Sequence, residues 1–232
     1  MSKKITIAID GPVGSGKGTL AINLAKKIDA TFLYTGAMYR ELALACLREN
    51  KDLNNEDEVL EVLRRVKIEL KPAGDEIGAF LNGEDVSVEI FKPYISRAVP
   101  IVSALPKVRE EMVNRQRKLA ENLGREKNIV MEGRDISTVV MPNADLKVFL
   151  TADLKTRAKR RFDQFKEKGV DTTFEEVVKD VEDRDKKDIE RKASPLKVAE
   201  DAIVIDTTND TIEDTVSKVI EELKKRNLYD KN

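Results

Sequence analysis

Gly11-Pro12-Val13-Gly14-Ser15-Gly16-Lys17-Gly18-Thr19 is the stretch on which the fold turns. Its glycines let the backbone bend sharply enough for several N–H groups to converge on one anion. Before it, Ile5-Thr6-Ile7-Ala8-Ile9 is a β-branched run that stops at Asp10-Gly11-Pro12, as a buried strand stops at a turn. After it, Leu20, Leu24 and Ile28 recur four apart with Ala21 and Ala25 beside them, the spacing of a helix packed along one face. Strand, glycine-rich loop and helix in that order make a phosphate-binding loop, and the helix adds its positive N-terminal end. In such a loop Lys17 reaches the β- and γ-phosphates of a triphosphate. The strict pattern puts a hydroxyl directly after the lysine. Here Gly18 stands there and Thr19 follows, so Thr19 is the hydroxyl that would help hold magnesium.

Working outward, strand-like runs recur at 128–132, 146–150 and 202–206, with helical patterns between and after them. Strands alternating with helices predict an α/β fold with a parallel sheet covered on both faces. Ile212, Val216, Val219, Ile220 and Leu223 form the apolar stripe of a last helix, with Thr211 and Asp214 spaced as a capping box. One stretch breaks the alternation. Runs at 66–70 and 78–81 read as strands, and Asn82-Gly83 is a hairpin-turn dipeptide, which predicts a small antiparallel insertion over roughly 66–90.

The chain has 232 residues, which suits one core domain with insertions. Charged residues make up 37% of it, yet the formal net charge is -1. Acids and bases offset each other, so no global basic field points to a nucleic-acid partner. No apolar run reaches the length of a membrane span, the N-terminus carries no signal-peptide pattern, and there is one cysteine, Cys46, in an apolar run. A reducing cytoplasm is the expected setting, and Cys46 reads as a small core residue. There is no histidine. Histidine acid–base chemistry and histidine-ligated metals are thereby excluded. Phosphoryl transfer fits what remains, because it needs positioning and charge neutralisation more than a base.

Four further patterns bear on the acceptor. Thr35-Gly36-Ala37-Met38-Tyr39-Arg40 opens a second helix, and a hydroxyl with free amides and an arginine suits an incoming phosphate. A capped helix with a surface arginine would read the same way. Glu132-Gly133-Arg134-Asp135 follows a strand, where open α/β sheets bind ligands, and Glu132 is placed to orient water or magnesium. A self-paired charged turn is the alternative. Arg184, Asp188 and Arg191 share one helix face, either to present guanidinium groups to phosphates or as salt bridges on a solvated helix, as the neighbours Asp185, Lys186, Lys187 and Glu190 read. Arg157, Arg160 and Arg161 form a basic cluster that reads as a closing lid or as a solvated face.

With these residues in view the chain resembles the bacterial cytidylate kinases, within the nucleoside-monophosphate kinases of the P-loop class. The resemblance runs from Ile5 to about the last helix. It rests on GPVGSGKGT, YTGAMYR, LNGEDVS, LPKVREEMVNRQR, EGRDISTVVMPNADLKVFL and RDKKDIERKASPLKVAEDA in that order. It implies a three-layer P-loop fold with a five-stranded parallel sheet, an antiparallel β insertion in the nucleoside-monophosphate-binding region, and a helical lid. The implied division is a core of about 1–35, 103–155 and 175–232, a monophosphate-binding region of about 36–102 and a lid of about 156–174. The implied reaction joins ATP and CMP or dCMP, with Mg2+, in a monomeric enzyme.

Carried over residue by residue, the resemblance puts the ATP phosphates on Gly11, Pro12, Val13, Gly14, Ser15, Gly16, Lys17, Gly18 and Thr19. It puts CMP on Thr35, Gly36, Tyr39, Arg40, Arg109, Asp135, Arg184, Asp188 and Arg191. Arg40, Arg134 and Arg191 take the acceptor phosphate, Asp188 and Arg184 the ribose side and the bridging phosphates, and Arg109 with Asp135 the base. Lys17, Arg134, Arg184, Asp188, Arg157 and Arg161 are the expected catalytic set. Cytosine shows a donating amino group beside a ring acceptor, which an aspartate and an arginine complement and which uracil reverses. One position departs from the family, where a serine that helps read the base is replaced by Pro100; Ser96 and Ser103 are the neighbouring hydroxyls. Two rivals remain. One is a P-loop kinase of another acceptor (UMP, AMP or a non-nucleotide acid). The other is a nucleotide-driven switch that has no acceptor.

Overall fold

The computed structural model describes residues 4–73, 76–167 and 169–229. β1 (Thr6–Asp10) runs into the glycine loop, and α1 (Lys17–Lys27) begins at the lysine itself. β2 (Ala30–Tyr34), α2 (Thr35–Arg48) and α3 (Glu56–Arg65) follow. Next come β3 (Ile68–Ala73), β4 (Glu76–Leu81), β5 (Glu84–Asp85), α4 (Pro93–Val102) and α5 (Pro106–Gly124). β6 (Asn128–Gly133) leads into a π-helical turn, Ile136–Val140. β7 (Leu146–Thr151), α6 (Leu154–Glu167), α7 (Phe174–Glu190), β8 (Ile203–Asp206) and α8 (Ile212–Lys225) complete the chain. Two compact units result, Met1–Phe32 with Leu123–Asn232, and Leu33–Asn122.

The first unit is built on the predicted five-stranded sheet, in the order β2-β6-β1-β7-β8. β1 pairs in parallel with both neighbours, Asp10 opposite Gly133 on β6 and opposite Phe149 on β7. The carboxyl ends of β1 and β6 are therefore level, and the chain leaves them side by side as the phosphate loop and the Arg134 turn. One sheet face is apolar because alternate residues, Ile7 and Ile9 of β1 and Ile5 just before it, project onto Leu20 and Leu24 of α1 and Val219 and Leu223 of α8. The capping box read from Thr211 and Asp214 forms, each side chain bonding the other residue's amide. Thr173 and Glu176 make a second box at the start of α7. α6 and α7 pack through Ala158, Val177 and Val181, with Phe162 meeting Phe174 edge-on and Val13 of the phosphate loop in the same cluster.

The second unit holds the three-stranded antiparallel sheet β3-β4-β5, as the Asn82-Gly83 dipeptide predicts. Both turn residues adopt positive φ, 52° and 88°. Leu42, Leu44 and Cys46 of α2 pack with Val59 and Leu63 of α3, Ile95 and Val102 of α4 and Met112 of α5. Burial pushes the Cys46 thiol up to about 12, so it is the inert core residue that the sequence indicates. Charged side chains are buried in this unit as well, among them Arg40, Glu41 and Arg109. Glu41 on α2 is fully buried, with the Glu69 amide directed at its carboxyl and no ion-pair partner among the described residues.

Candidate active site

The phosphate loop is held from within. The Lys17 ammonium donates to the Pro12 carbonyl at 2.7 Å and lies 3.4 Å from Ser15 Oγ, while the Ser15 hydroxyl donates to Pro12 O at 3.0 Å. Gly14 has φ of 76°, and a Cβ there would stand 2.6 Å from the Arg157 carbonyl oxygen, so both conformation and space require glycine. Lys17 is 6% exposed. Burial, helped by the nearby Arg134 charge and opposed by Glu132, Asp188 and Asp10, lowers its pKa to about 7. Burial likewise raises Glu132, against the pull of Lys17 and Arg134. Glu132 stands close to the loop, 3.6 Å from where a Cβ on Gly18 would be.

Asp10, the last residue of β1, carries a role the sequence reading missed. Its carboxylate accepts the amides of Ile136 at 2.8 Å and Ser137 at 2.7 Å, and the Ser137 hydroxyl at 2.5 Å. Burial raises its pKa, and these three bonds pull it back. The residue that opens the phosphate loop thus pins the turn that follows Arg134 and Asp135.

Four of the predicted residues form one charged network in the first unit. Arg134 Nε donates to Asp188 at 2.8 Å, and Arg191 stands 3.5 Å from Asp188 and 3.9 Å from Asp135. Arg191 is the C-cap of α7, where its Nε also donates to the Ser194 carbonyl at 2.6 Å. Burial works to raise the Asp188 pKa, but Arg134, Arg191 and Arg184 outweigh it, and the carboxylate is held below its ordinary value. Asp188 is therefore ionised, and it orients two guanidinium groups beyond the carboxyl end of β6.

Arg157 and Arg161 stand differently from a lid exposed to solvent. Arg157 is 8% exposed, and its guanidinium donates to Ala152 O at 3.0 Å, Val13 O at 3.2 Å and Asp185 at 2.5 Å. It bridges the phosphate loop to α7. The Arg161 guanidinium lies 4.3 Å from the Phe165 ring centroid, and Arg160 is bonded to Thr207, whose hydroxyl reaches Ser15 O at 3.2 Å.

In the second unit, α2 opens at Thr35 as read from the sequence. A Cβ on Gly36 would fall 2.5 Å from the Tyr34 ring. Arg40 is gripped on several sides: its Nη1 donates to Ile90 O at 2.9 Å and Ser96 Oγ at 3.0 Å, and its Nε to Tyr34 OH at 3.2 Å. Its guanidinium also lies 5.1 Å from the Phe91 ring, which stacks on Tyr34. Arg109 donates to Ser103 O at 2.8 Å and lies over the Tyr39 ring. Pro100 is inside α4, and the two serines near it meet two of the predicted acceptor-side arginines, Ser96 bonding Arg40 through its hydroxyl and Ser103 bonding Arg109 through its carbonyl. Phe91 and Ser96 carry no local sequence signal, because more than 50 residues separate each from Arg40.

Thr19 and Glu132 supply hard oxygen donors beside the loop. No group of three or more His, Cys, Asp or Glu side chains suited to a metal occurs among the described residues. That donor set fits a magnesium ion carried by a nucleotide's phosphates better than a resident metal cage.

A parallel α/β sheet with a phosphate loop at one strand end, and a carboxylate, Asp188, aligning arginines at the next, defines a P-loop phosphotransferase. A family model described as cytidylate kinase matches residues 7–225. The chain is 50% identical to a cytidylate kinase of Caldanaerobacter subterraneus over 95% of each protein. It is 44% identical to a cytidylate kinase of Bacillus subtilis, over 97% of this chain and 99% of that one. A crystal structure of an uncharacterized protein from Eubacterium ventriosum shares the fold at 15% identity, with a TM-score of 0.50 over 95% of this chain and 99% of that one. The chain belongs to the cytidylate kinase family. No helix among the described residues is long and apolar enough to cross a membrane.

Proposed function

We propose that this protein transfers the γ-phosphoryl group of ATP to CMP or dCMP, releasing ADP and CDP or dCDP, as a cytoplasmic monomer of pyrimidine nucleotide metabolism. The observation that carries the reading is the level pairing of β1 and β6, which sets the phosphate loop beside the Arg134–Asp188–Arg191–Asp135 network. The loop amides and Lys17 hold the ATP phosphates, and the triphosphate charge favours the protonated form of Lys17. Mg2+, brought by the nucleotide and met by Thr19 and Glu132, would supply further charge neutralisation.

Arg134, Arg191 and Arg40 are assigned to the acceptor phosphate, Arg184 and Asp188 to the bridging phosphates and ribose, and Arg109 with Asp135 to the base. Thr35, Gly36 and Tyr39 are assigned to the entrance of α2 that receives the acceptor. The acceptor's phosphate oxygen is already a competent nucleophile, so no strong base is required. The protein aligns two polyanions and offsets their repulsion with fixed cations. Arg157 serves this by holding the loop, and Arg161 by adding positive charge beside it.

Chromatography of a reaction with ATP, Mg2+ and CMP tests the reading. ADP and CDP should appear in equal amounts. ADP without CDP, from folded protein, would favour the switch.

A further inference from the structure

Asp185 belongs to none of the assigned roles, and its position is unlike that of its charged neighbours on α7. Lys186, Lys187 and Glu190 are exposed, whereas the Asp185 side chain is 15% exposed and paired with Arg157 at 2.5 Å. Arg157 also donates to two main-chain carbonyls, Val13 in the phosphate loop through Nη1 and Ala152 just after β7 through Nε. Its own carbonyl abuts Gly14, so side chain and backbone meet the loop at consecutive residues. A guanidinium buried to this degree needs a counter-charge to stay in place, and Asp185 is the ion-pair partner that meets it. Three residues further along α7, one turn on, Asp188 holds Arg134 in the same way.

We propose that Asp185 is a positioning residue for the donor site: through Arg157 it fixes the Val13 carbonyl, and with it the path of the phosphate-loop amides. Helix α7 then carries two carboxylates with separate duties, Asp185 for the donor loop and Asp188 for the acceptor-side arginine. The inference rests on the phosphate loop being the ATP site and adds a residue outside the loop that governs it. The split within a single helix is what a general loss of packing would not produce.

Calorimetric titration of the full chain with a non-hydrolysable ATP analogue plus Mg2+, and separately with CMP, tests this without turnover. Asp185→Asn should raise the analogue Kd about tenfold and leave the CMP Kd within twofold. Asp188→Asn should do the reverse. Arg157→Gln with Asp185→Asn should be no worse for the analogue than Arg157→Gln alone, because the two act as one unit. Should Asp185→Asn fail to fold, Arg157→Lys, which keeps the charge but loses the fork that spans two carbonyls, should show the same donor-selective loss. An analogue Kd within twofold of wild type, equal losses for both ligands, or additive effects in the double variant would overturn the proposal. Absence of CMP binding to the wild-type chain would instead count against the acceptor assignment and leave the donor comparison intact.

Discussion

Replacing Glu41 by Met should stabilise the protein, and the gain should grow with pH. Burial lifts the Glu41 carboxyl from an ordinary 4.5 to about 9. The Glu69 amide partly offsets this and the Glu69 charge adds to it. Between those values the folded state keeps a proton that the unfolded chain has released, so stability falls by about 1.4 kcal/mol per pH unit as pH rises. The loss begins near 4.5 and is complete near 9. At pH 7 it amounts to about 3 kcal/mol, a large share of a domain's stability. Methionine does not ionise and adapts to an apolar site, so it removes the slope and leaves only a constant packing difference. Urea unfolding followed by circular dichroism at pH 5, 6, 7 and 8 gives the difference between wild type and Glu41→Met at each pH. Glu41→Gln should show the same slope with a different offset, since its amide is also buried. A difference that stays flat across the four pH values would refute the reasoning, because it would mean that Glu41 is ionised in the folded protein.

Lys17→Ala should reduce kcat by about 10²–10³ while the thermal unfolding profile stays close to wild type; turnover near wild type would remove the role assigned to that ammonium. Gly14→Ala should raise the KM for ATP and cost about 1–3 kcal/mol of stability, because its Cβ meets the Arg157 carbonyl at positive φ; unchanged ATP kinetics would show that the loop tolerates the displacement. Asp135→Ala should lower the ratio of kcat/KM for CMP over UMP by tenfold or more, since a site that pairs a buried polar group discriminates strongly; an unchanged ratio would count against Asp135 as a reader of the base.

Local signals were legible in the sequence, and distant ones were not. The β-branched run, the glycines and the four-residue spacing after Lys17 specify strand, loop and helix from fewer than thirty consecutive residues. The Thr211–Asp214 capping box and the Asn82-Gly83 turn are equally local, and both form as read. Helix α3 carried a readable signal as well, with Asn55 accepting the amides of Asp57 and Glu58 ahead of three acidic residues, but the sequence reading did not place it. The charges on α7 were ambiguous because spacing cannot tell a buried carboxylate from a solvated one. Asp185 and Asp188 turn inward onto Arg157 and Arg134, while Lys186 and Lys187 remain exposed. The sequence leaves Arg157 open between a closing lid and a solvated face, because a basic cluster on a helix shows no partner in its own neighbourhood. Its partners at Val13 and Asp185 are brought by the sheet and by α7. Asp10 stapling Ser137 and Phe91 covering Arg40 are tertiary facts of the same kind.

The most direct test of the account is the rate of ADP formation from ATP and Mg2+ with CMP, dCMP, UMP, AMP and GMP supplied one at a time. Fast turnover with CMP and dCMP, and little with the other three, is the predicted result, with Pro100 tolerated in place of the family's serine. Comparable turnover with UMP would contradict the base-reading role of Arg109 and Asp135, and no turnover with any of the five from folded, ATP-binding protein would contradict the acceptor assignment itself.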